Sequence, residues 1–257
     1  SYDIGLKIFS RKTPRLCGLK LDADGLDIQL LKTKLKSKCP LLIYVIPDFQ
    51  NPTGVTLSLY RRKALIELAE KYGFWLVEDA AYRRLRYKGE ELPSLFELAP
   101  HKVIHIGSFS KTIAPGLRVG YLVGSTKIIE TLSKHALIRH IFPNTYSQAI
   151  VHHLIQNGTF YDHLLELKKE YGTRLQVMLE ALEKWMPASV TWSMASGGFF
   201  IGLFSNLQIE FTELCQLAKK NQLALLDGSM FFLDVDVNKL FIRLTFAGLT
   251  PCEIKTA

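Results

Sequence analysis

Short apolar runs alternate with amphipathic segments over the first half of the chain. The runs Leu41–Ile46, Phe74–Val77 and Val103–Gly107 have the length and composition of buried strands, and Leu57–Tyr72 repeats apolar residues at helical spacing. Because such alternation favours right-handed crossovers between strands, it predicts an α/β fold with a mostly parallel sheet. Similar patterns predict strands over Arg15–Leu19 and Arg118–Val123, and helices over Gly25–Lys36, Ile128–Ile141 and Asn144–Gln156.

The second half of the chain has a different pattern. A long periodic segment, Tyr161–Trp185, predicts one helix that bridges two domains, and Pro187 marks its end. After it we predict strands over Val190–Trp192, Gly198–Phe204, Leu223–Leu226 and Leu240–Phe246, and a helix over Thr212–Asn221. We therefore expect part of a larger domain over residues 1–158, an interdomain helix over 159–186 and a smaller α+β domain over 187–257.

The segment that follows Val103–Gly107 concentrates polar groups suited to a phosphorylated aldehyde. Ser108, Ser110, Lys111 and Arg118 fall within eleven residues. A lysine that is partly neutral near pH 7 can form an imine with a carbonyl group. Arg118 offers a planar fork for phosphate oxygens, and the two serines add short donors. Together they predict a site for both the carbonyl and the phosphate of one ligand.

Two upstream segments carry groups that would complete a pyridoxal phosphate site. Asp79 ends an apolar run and is followed by Tyr82, and Asn51 follows the run that ends at Ile46. Pyridoxal phosphate needs a carboxylate on its ring nitrogen, so that the ring can withdraw electrons, and hydrogen bonds to its phenolate oxygen. Asp79 suits the first need, and Asn51 with Tyr82 suits the second. All lie after predicted strands, where ligands bind in open α/β sheets.

These motifs resemble those of the fold-type I pyridoxal-phosphate enzymes, specifically the class I/II aminotransferases. The sequence N-P-T-G at Asn51–Gly54 is followed by D-x-x-Y at Asp79–Tyr82, S-F-S-K at Ser108–Lys111 and R-x-G-Y at Arg118–Tyr121. The resemblance runs from about Ser1 to Leu249. The sequence A-P-G-L-R after the lysine is similar to the aminoadipate/aromatic subgroup, and the MocR-like regulators share the fold.

The resemblance implies a role for each motif residue. Lys111 is expected to form the Schiff base with the cofactor and to shuttle the proton. Asp79 is expected to pair with the pyridine nitrogen, while Asn51 and Tyr82 contact the phenolate oxygen. Lys111, Asp79 and Tyr82 are thus the predicted catalytic residues. The predicted cofactor-binding residues are Asn51, Asp79, Tyr82, Ser108, Ser110, Lys111 and Arg118.

An arginine inside the apolar segment Phe241–Ala247 indicates an anion site. A buried arginine is costly unless it meets an anion, although an edge-strand arginine can also extend to solvent. In the family, the matching arginine binds the α-carboxylate of the amino acid. Arg243, with Asn51, is therefore the predicted site for the substrate carboxylate.

Composition excludes some other classes of protein. With 257 residues and 48% hydrophobic content the chain can bury a large core. No apolar run approaches the roughly 20 residues that a membrane-spanning helix needs, and the seven histidines show no metal-ligand spacing. The cysteines Cys17, Cys39, Cys215 and Cys252 lack C-x-x-C spacing, which is typical of free thiols in a cytoplasmic protein. We expect no membrane partner and no metal.

Compared with the family, we expect this chain to be shortened at both ends. The family's N-terminal part supplies a Gly-rich phosphate-binding helix start and an aromatic ring that stacks on the pyridine, and we predict neither before Asn51. The family also adds helical sequence beyond Ala257. The family's active sites form across a homodimer interface, so a homodimer is expected.

Three functions stay open at this stage. The first is an aminotransferase that moves an amino group between an amino acid and a 2-oxo acid. The second is the effector domain of a MocR-type transcriptional regulator, which would contact nucleic acid only through a DNA-binding domain upstream. The third is an inactive remnant that does not retain cofactor. The formal charge of +8 suits anionic ligands but is more often a solvated surface.

Overall fold

The computed structural model describes residues 1–11, 15–207, 209–233 and 240–256. Within these residues the strands are β1 (Leu21–Asp22), β2 (Gly25–Leu26), β3 (Leu42–Val45), β4 (Trp75–Asp79), β5 (Val103–Ser108), β6 (Gly120–Val123), β7 (Val190–Trp192), β8 (Phe200–Ser205) and β9 (Leu240–Thr245). The helices are α1 (Asp3–Ser10), α2 (Ile28–Ser37), α3 (Leu59–Tyr72), α4 (Leu95–Leu98), α5 (Thr126–His140), α6 (Thr145–Gln156), α7 (Thr159–Trp185), α8 (Phe211–Lys220) and α9 (Pro251–Thr256), with 3₁₀ turns at Pro115–Leu117 and Gly228–Phe231.

The larger sheet has the strand order β3-β4-β5-β6. Strands β3, β4 and β5 are parallel, with Val45 opposite Glu78 and Asp79 opposite Ile106, and β6 is antiparallel to β5. The predicted mostly parallel sheet of an α/β fold is therefore confirmed. Because the carboxyl ends of parallel strands meet at one edge, the loops after β3, β4 and β5 come together there.

A closely packed core fixes the position of that edge. Helices α2 and α3 bury apolar side chains against the sheet, and Leu65, Leu76 and Val103 are fully enclosed. Each such side chain stabilises the fold by about 1.5 to 3 kcal/mol relative to leaving it exposed. Helix α3 ends at Gly73, whose left-handed backbone conformation closes the last turn.

The smaller sheet is antiparallel, with the order β7-β8-β9. Leu175 of α7, Ile201 of β8 and Phe246 just beyond β9 have no exposed surface and form the centre of its core. The start of α7 packs elsewhere, since Phe160 and Leu164 contact the residues around the loops of the larger sheet. This single helix thus contacts both cores, while the domain limits at residues 158 and 187 stay a prediction.

The structure differs from the sequence-based prediction at several elements. Residues 15–20 form no strand, and pairing begins only at the short β1–β2 hairpin. Strand β6 begins two residues later than predicted because Arg118 has a left-handed backbone conformation, with φ of 54°. The predicted strand Leu223–Leu226 is absent, since only Asp227 bridges to Ile242 of β9. Helices α1 and α4 were not predicted.

Among the helices of the described residues, none combines the length and apolar character needed to cross a membrane.

Candidate active site

The carboxylate of Asp79 lies at the carboxyl edge of the larger sheet and is held from two sides. The Tyr44 hydroxyl donates a hydrogen bond of 2.5 Å to Asp79 Oδ2, and the Ala81 N–H donates one of 3.2 Å to Oδ1. Burial, together with the Asp79 charge, raises the pKa of Tyr44 above its ordinary value. The phenol therefore stays protonated and acts as a donor to the carboxylate.

Tyr82 joins Asp79 to the loop that follows β3. Its side chain is buried, and its ring makes edge-to-face contacts with Phe199 and Phe200. Burial raises the pKa of Tyr82, the Asp79 charge raises it further, and Arg243 and a hydrogen bond with Asn51 lower it. The Tyr82 hydroxyl is thus within electrostatic reach of all three groups.

Arg243 reaches across from the smaller sheet to the Asn51 loop. Its Nη1 donates a hydrogen bond of 2.9 Å to Asn51 Oδ1, and its guanidinium lies between the rings of Phe200 at 4.3 Å and Phe231 at 4.7 Å. Burial lowers the pKa of Arg243. The amide of Asn51 is neutral, and no carboxylate of the described residues lies within ion-pair distance of Arg243, although the Asp3 charge acts on it at longer range. A partly desolvated cation of this kind favours an anionic ligand.

The Lys111 loop begins at the end of β5 and folds back on itself. The Phe109 N–H donates to the Val119 carbonyl at 3.1 Å, and the Ser110 N–H donates to Ser108 Oγ at 3.2 Å. Ser108, Ser110 and Lys111 are half-buried, whereas Arg118 is exposed. Within the part of the chain that the structure describes, Arg118 donates a long hydrogen bond of 3.5 Å to the Pro115 carbonyl, and its other donors are open to solvent.

Two aromatic residues at this edge were missed by the sequence analysis. Tyr2 precedes α1, and its hydroxyl is within electrostatic range of both Asp79 and Arg118. Burial raises the pKa of Tyr2, Asp3 and Asp79 add to the rise, and Arg118 opposes it. The second is Tyr44, the donor to Asp79. Alternation within β3 could have flagged Tyr44 as a side chain on one face of the sheet, but no sequence signal pointed to Tyr2.

The sequence-predicted residues thus fall into two connected groups. Asn51, Asp79, Tyr82 and Arg243 interact directly or electrostatically with one another. The loop that carries Ser108, Ser110, Lys111 and Arg118 follows the neighbouring strand β5, and Tyr2 lies within electrostatic range of both Arg118 and Asp79. All of them lie at the carboxyl edge of the larger sheet except Arg243, which β9 supplies from the smaller one.

A buried ion pair supports the loop that carries Asn51. Arg62 has no exposed surface, and its Nη2 contacts Asp48 Oδ1 at 2.7 Å. The same guanidinium donates to the carbonyls of Leu57 at 2.9 Å and Pro93 at 3.0 Å. Arg86 contacts the same carboxylate oxygen at 3.3 Å. These contacts fix both ends of the loop, and the sequence analysis did not identify them.

Tyr121 packs against the end of β5, where the Lys111 loop begins. It lies opposite Gly107 in the β5–β6 pair, and its ring occupies the space that a side chain at Gly107 would need. The ring also stacks on His105 and contacts Phe109. These contacts are those of a packing residue.

Comparison with known proteins places this arrangement in a family. The family model "Aminotransferase class I and II" matches residues 9–257. Aromatic-amino-acid aminotransferase 1 of Thermococcus litoralis is 34% identical over 261 residues, covering 99% of this chain and 62% of that protein. The HTH-type transcriptional regulator NorG of Staphylococcus aureus is 31% identical over 217 residues, covering 84% of this chain and 48% of that protein.

A solved structure shares the fold almost throughout. The α-aminoadipate aminotransferase LysN of Thermus thermophilus, in complex with N-(5'-phosphopyridoxyl)-L-leucine, superposes with a TM-score of 0.93 at 32% identity. The match covers 99% of this chain and 66% of that one. The chain therefore spans slightly less than two thirds of the length of these aminotransferases. With a family match over nearly all its residues, the chain belongs to the class I and II aminotransferases.

Proposed function

We propose that this chain is the greater part of a pyridoxal-phosphate-dependent aminotransferase that moves an amino group between an amino acid and a 2-oxo acid. The observation that carries the proposal is the Arg243–Asn51 pair. It presents a partly buried cation, hydrogen-bonded to a neutral amide and within electrostatic range of Tyr82. An amino acid offers a carboxylate to such a cation, and its α-carbon would then lie close to the groups at the sheet edge.

The residues at the edge fit the cofactor that the family uses. Asp79 offers a carboxylate already oriented by Tyr44 and Ala81, as a protonated ring nitrogen requires. Tyr82 and Asn51 would contact the phenolate oxygen. The outward-facing donors of Arg118, with the hydroxyls of Ser108 and Ser110, suit the phosphate, and Lys111 would attach the carbonyl carbon. When bound, pyridoxal phosphate withdraws electrons from the α-carbon of the amino acid.

The chain's own residues would then bind the substrate and move its proton. Arg243 and Asn51 bind the α-carboxylate, and the Phe200 and Phe231 rings keep water from the guanidinium. The amine of Lys111 would take the proton from the substrate α-carbon as a general base and hold it for return as a general acid. The Asp79 carboxylate, oriented by Tyr44 and Ala81, would hold a proton on the cofactor's ring nitrogen.

An absorbance spectrum of the purified chain with added pyridoxal phosphate tests this function. We expect a visible-edge band from lysine-bound cofactor, which bleaches when a true amino donor is added. Lys111→Ala should abolish the band, whereas Lys127→Ala, a substitution on α5, should leave it unchanged. A band that also forms in the Lys111 variant would contradict the assignment of the attachment site.

A regulatory role is the second candidate, favoured by the similarity to the regulator NorG. In that case the chain would bind cofactor and amino acid without completing the transfer. The spectrum separates the two, because an effector domain would form the Lys111-dependent band but not bleach to the amine form. No band at all would indicate a remnant without cofactor. A cytoplasmic homodimer is part of the main proposal, and nucleic acid is a partner only under the regulatory one.

A further inference from the structure

The Asn51–Gly54 loop, which belongs to the larger sheet's edge, rests directly on strand β8 of the smaller sheet. A side chain at Gly54 would collide with the Phe200 carbonyl. Ser193 makes the polar link, since its hydroxyl donates to the Thr53 carbonyl and accepts from the Gly202 N–H at 3.0 Å. The Ser193 N–H also donates to the Gly202 carbonyl at 3.0 Å. One buried serine therefore joins the loop to β8.

The residue of β8 that Ser193 binds, Gly202, is also the one that pairs with Arg243 of β9. Gly202 lies opposite Arg243 in the antiparallel β8–β9 register. The contacts therefore form a closed circuit. It runs from the Asn51 loop through Ser193 and Gly202 to Arg243, and returns through the 2.9 Å hydrogen bond between Arg243 and Asn51.

The Ser193 hydroxyl has no simple replacement in this circuit. Its side chain is only 9% exposed, so water has little access to the two backbone groups that it satisfies. Removing the hydroxyl would leave the Thr53 carbonyl and the Gly202 N–H without their partner, which favours separation of the loop from the strand. Such separation would lengthen the distance between Asn51 and Arg243.

We propose that Ser193 is a positioning residue for substrate: by fixing Thr53 to Gly202 it holds Asn51 against Arg243 and so builds the carboxylate pocket before the amino acid arrives. This inference rests on the proposed function, in which Asn51 and Arg243 bind the α-carboxylate. It adds a residue that touches neither substrate nor cofactor but sets how tightly the carboxylate is bound.

The chain offers a matched control in Ser205. This serine lies at the other end of β8 and is 7% exposed. Its hydroxyl also bridges two backbone groups, donating to the Ser189 carbonyl at 3.1 Å and accepting from the Leu207 N–H at 3.2 Å. Both serines thus have similar burial and similar backbone bonds, but only Ser193 contacts the Asn51–Gly54 loop.

The experiment compares Ser193→Ala, Ser205→Ala and Arg243→Ala in the cofactor-loaded protein. Calorimetry measures the Kd of 3-phenylpropanoate, an unreactive carboxylate, and of its primary amide, which lacks the negative charge. We expect Ser193→Ala to weaken carboxylate binding about tenfold, the scale of one buried hydrogen bond, with an unchanged Kd for pyridoxal phosphate. Ser205→Ala should change carboxylate binding by less than about twofold. Ser193→Thr, which keeps the hydroxyl, should restore tight binding.

Each outcome decides between the two proposals. Equal carboxylate Kd values for the Ser193 and Ser205 variants, with a loss for Arg243→Ala, would overturn the role of Ser193 and leave the proposed function standing. A wild-type protein that does not prefer the carboxylate to the amide would overturn both. If Ser193→Ala fails to fold, Ser193→Cys replaces it in the comparison, because cysteine has a similar volume and forms a weaker hydrogen bond. The carboxylate Kd of the cysteine variant must then lie between the wild-type Kd and the Kd expected for the alanine variant.

Discussion

At the scale of single residues, Arg243 has the most demanding environment of the site. Its half-buried guanidinium lies over the rings of Phe200 and Phe231, and its hydrogen bond goes to a neutral amide. Aromatic faces attract a cation but do not neutralise it. The residue therefore keeps a strong preference for a planar anion that can accept two parallel hydrogen bonds, which is the geometry of a carboxylate.

Replacing Arg243 with lysine or alanine should affect substrate far more than cofactor. We expect Arg243→Ala to raise the KM for the amino donor about 10- to 100-fold, because a charge-assisted hydrogen bond is lost. Arg243→Lys should recover only part of that loss, since lysine lacks the planar fork. Steady-state kinetics on a good donor measures both.

The control for this prediction is Arg174. It also lies over an aromatic ring, Tyr171 at 5.4 Å, and donates to the Ala247 carbonyl at 2.7 Å, but it already pairs with Glu170 at 3.3 Å. Arg174→Ala should leave the KM within about threefold of wild type. Similar KM values for the two alanine variants would refute the carboxylate role of Arg243.

At the scale of elements, the Asn51–Gly54 loop depends on contact with a strand of the other sheet. Gly54 has a positive φ of 74° and lies directly against the Phe200 carbonyl. Two separate constraints therefore act on this glycine. One is the left-handed backbone, which disfavours any side chain, and the other is the lack of space.

Alanine substitutions at two glycines separate these constraints. Gly73 has a similar φ of 81° but open space around the position of a side chain. Gly73→Ala should therefore lower the free energy of unfolding by about 1 to 2 kcal/mol and leave the KM unchanged. Gly54→Ala should destabilise further and raise the KM for the amino donor, because the displaced loop carries Asn51. Denaturant unfolding measures the stability of the two variants, and steady-state kinetics measures their KM. Equal effects of the two variants on KM would disprove the role of the Gly54 loop in positioning Asn51.

At the scale of the whole molecule, a buried ion pair ties the larger sheet to the loop that reaches the smaller one. Arg62 and Asp48 are buried and paired, and Arg62 also donates to the carbonyls of Leu57 and Pro93. Charges of this kind are expensive to leave alone in the interior. Because the pair holds the loop, breaking it should lower the free energy of unfolding of the whole molecule and not only loosen the loop.

Neighbouring arginines provide the test of that statement. Arg62→Ala should lower the free energy of unfolding by about 3 to 5 kcal/mol, since it leaves the Asp48 charge buried with only the longer Arg86 contact. Arg61→Ala removes a partly exposed pair with Asp22 and should cost about 1 kcal/mol or less. Denaturant titration of both variants measures the difference, and a loss at Arg62 no larger than at Arg61 would contradict the argument.

Sequence reasoning succeeded where local pattern decides structure. The parallel strands and the long helix α7 follow from apolar periodicity, and the order of motifs led to Asn51, Asp79, Tyr82 and Arg243, which the structure brings together. Their catalytic roles stay a prediction. The observed limits of β4 and α7 differ from the predicted ones by only a few residues.

Sequence reasoning failed where a contact between segments far apart in the chain determines which residues form the site. Tyr2, Tyr44 and Ser193 each act on a group at least 35 residues away along the chain, namely Asp79 for the tyrosines and Thr53 for the serine, so no local pattern marks them. The four-residue helix α4 was missed because it is too short for periodicity and depends on its Ser94–Glu97 capping box. The left-handed backbone at Arg118 was also unpredictable, because arginine rarely adopts it.

The packing of Tyr121 on Gly107 has an evolutionary consequence. The ring fills the place where residue 107 would carry a side chain, one strand away and 14 positions later in the sequence. A larger residue at 107 is therefore tolerable only in a descendant whose residue 121 has already become small. A smaller residue at 121 alone would lose the ring's contacts with Gly107, His105 and Phe109. The two positions should be inherited as a unit, each constraining the substitutions that the other can accept.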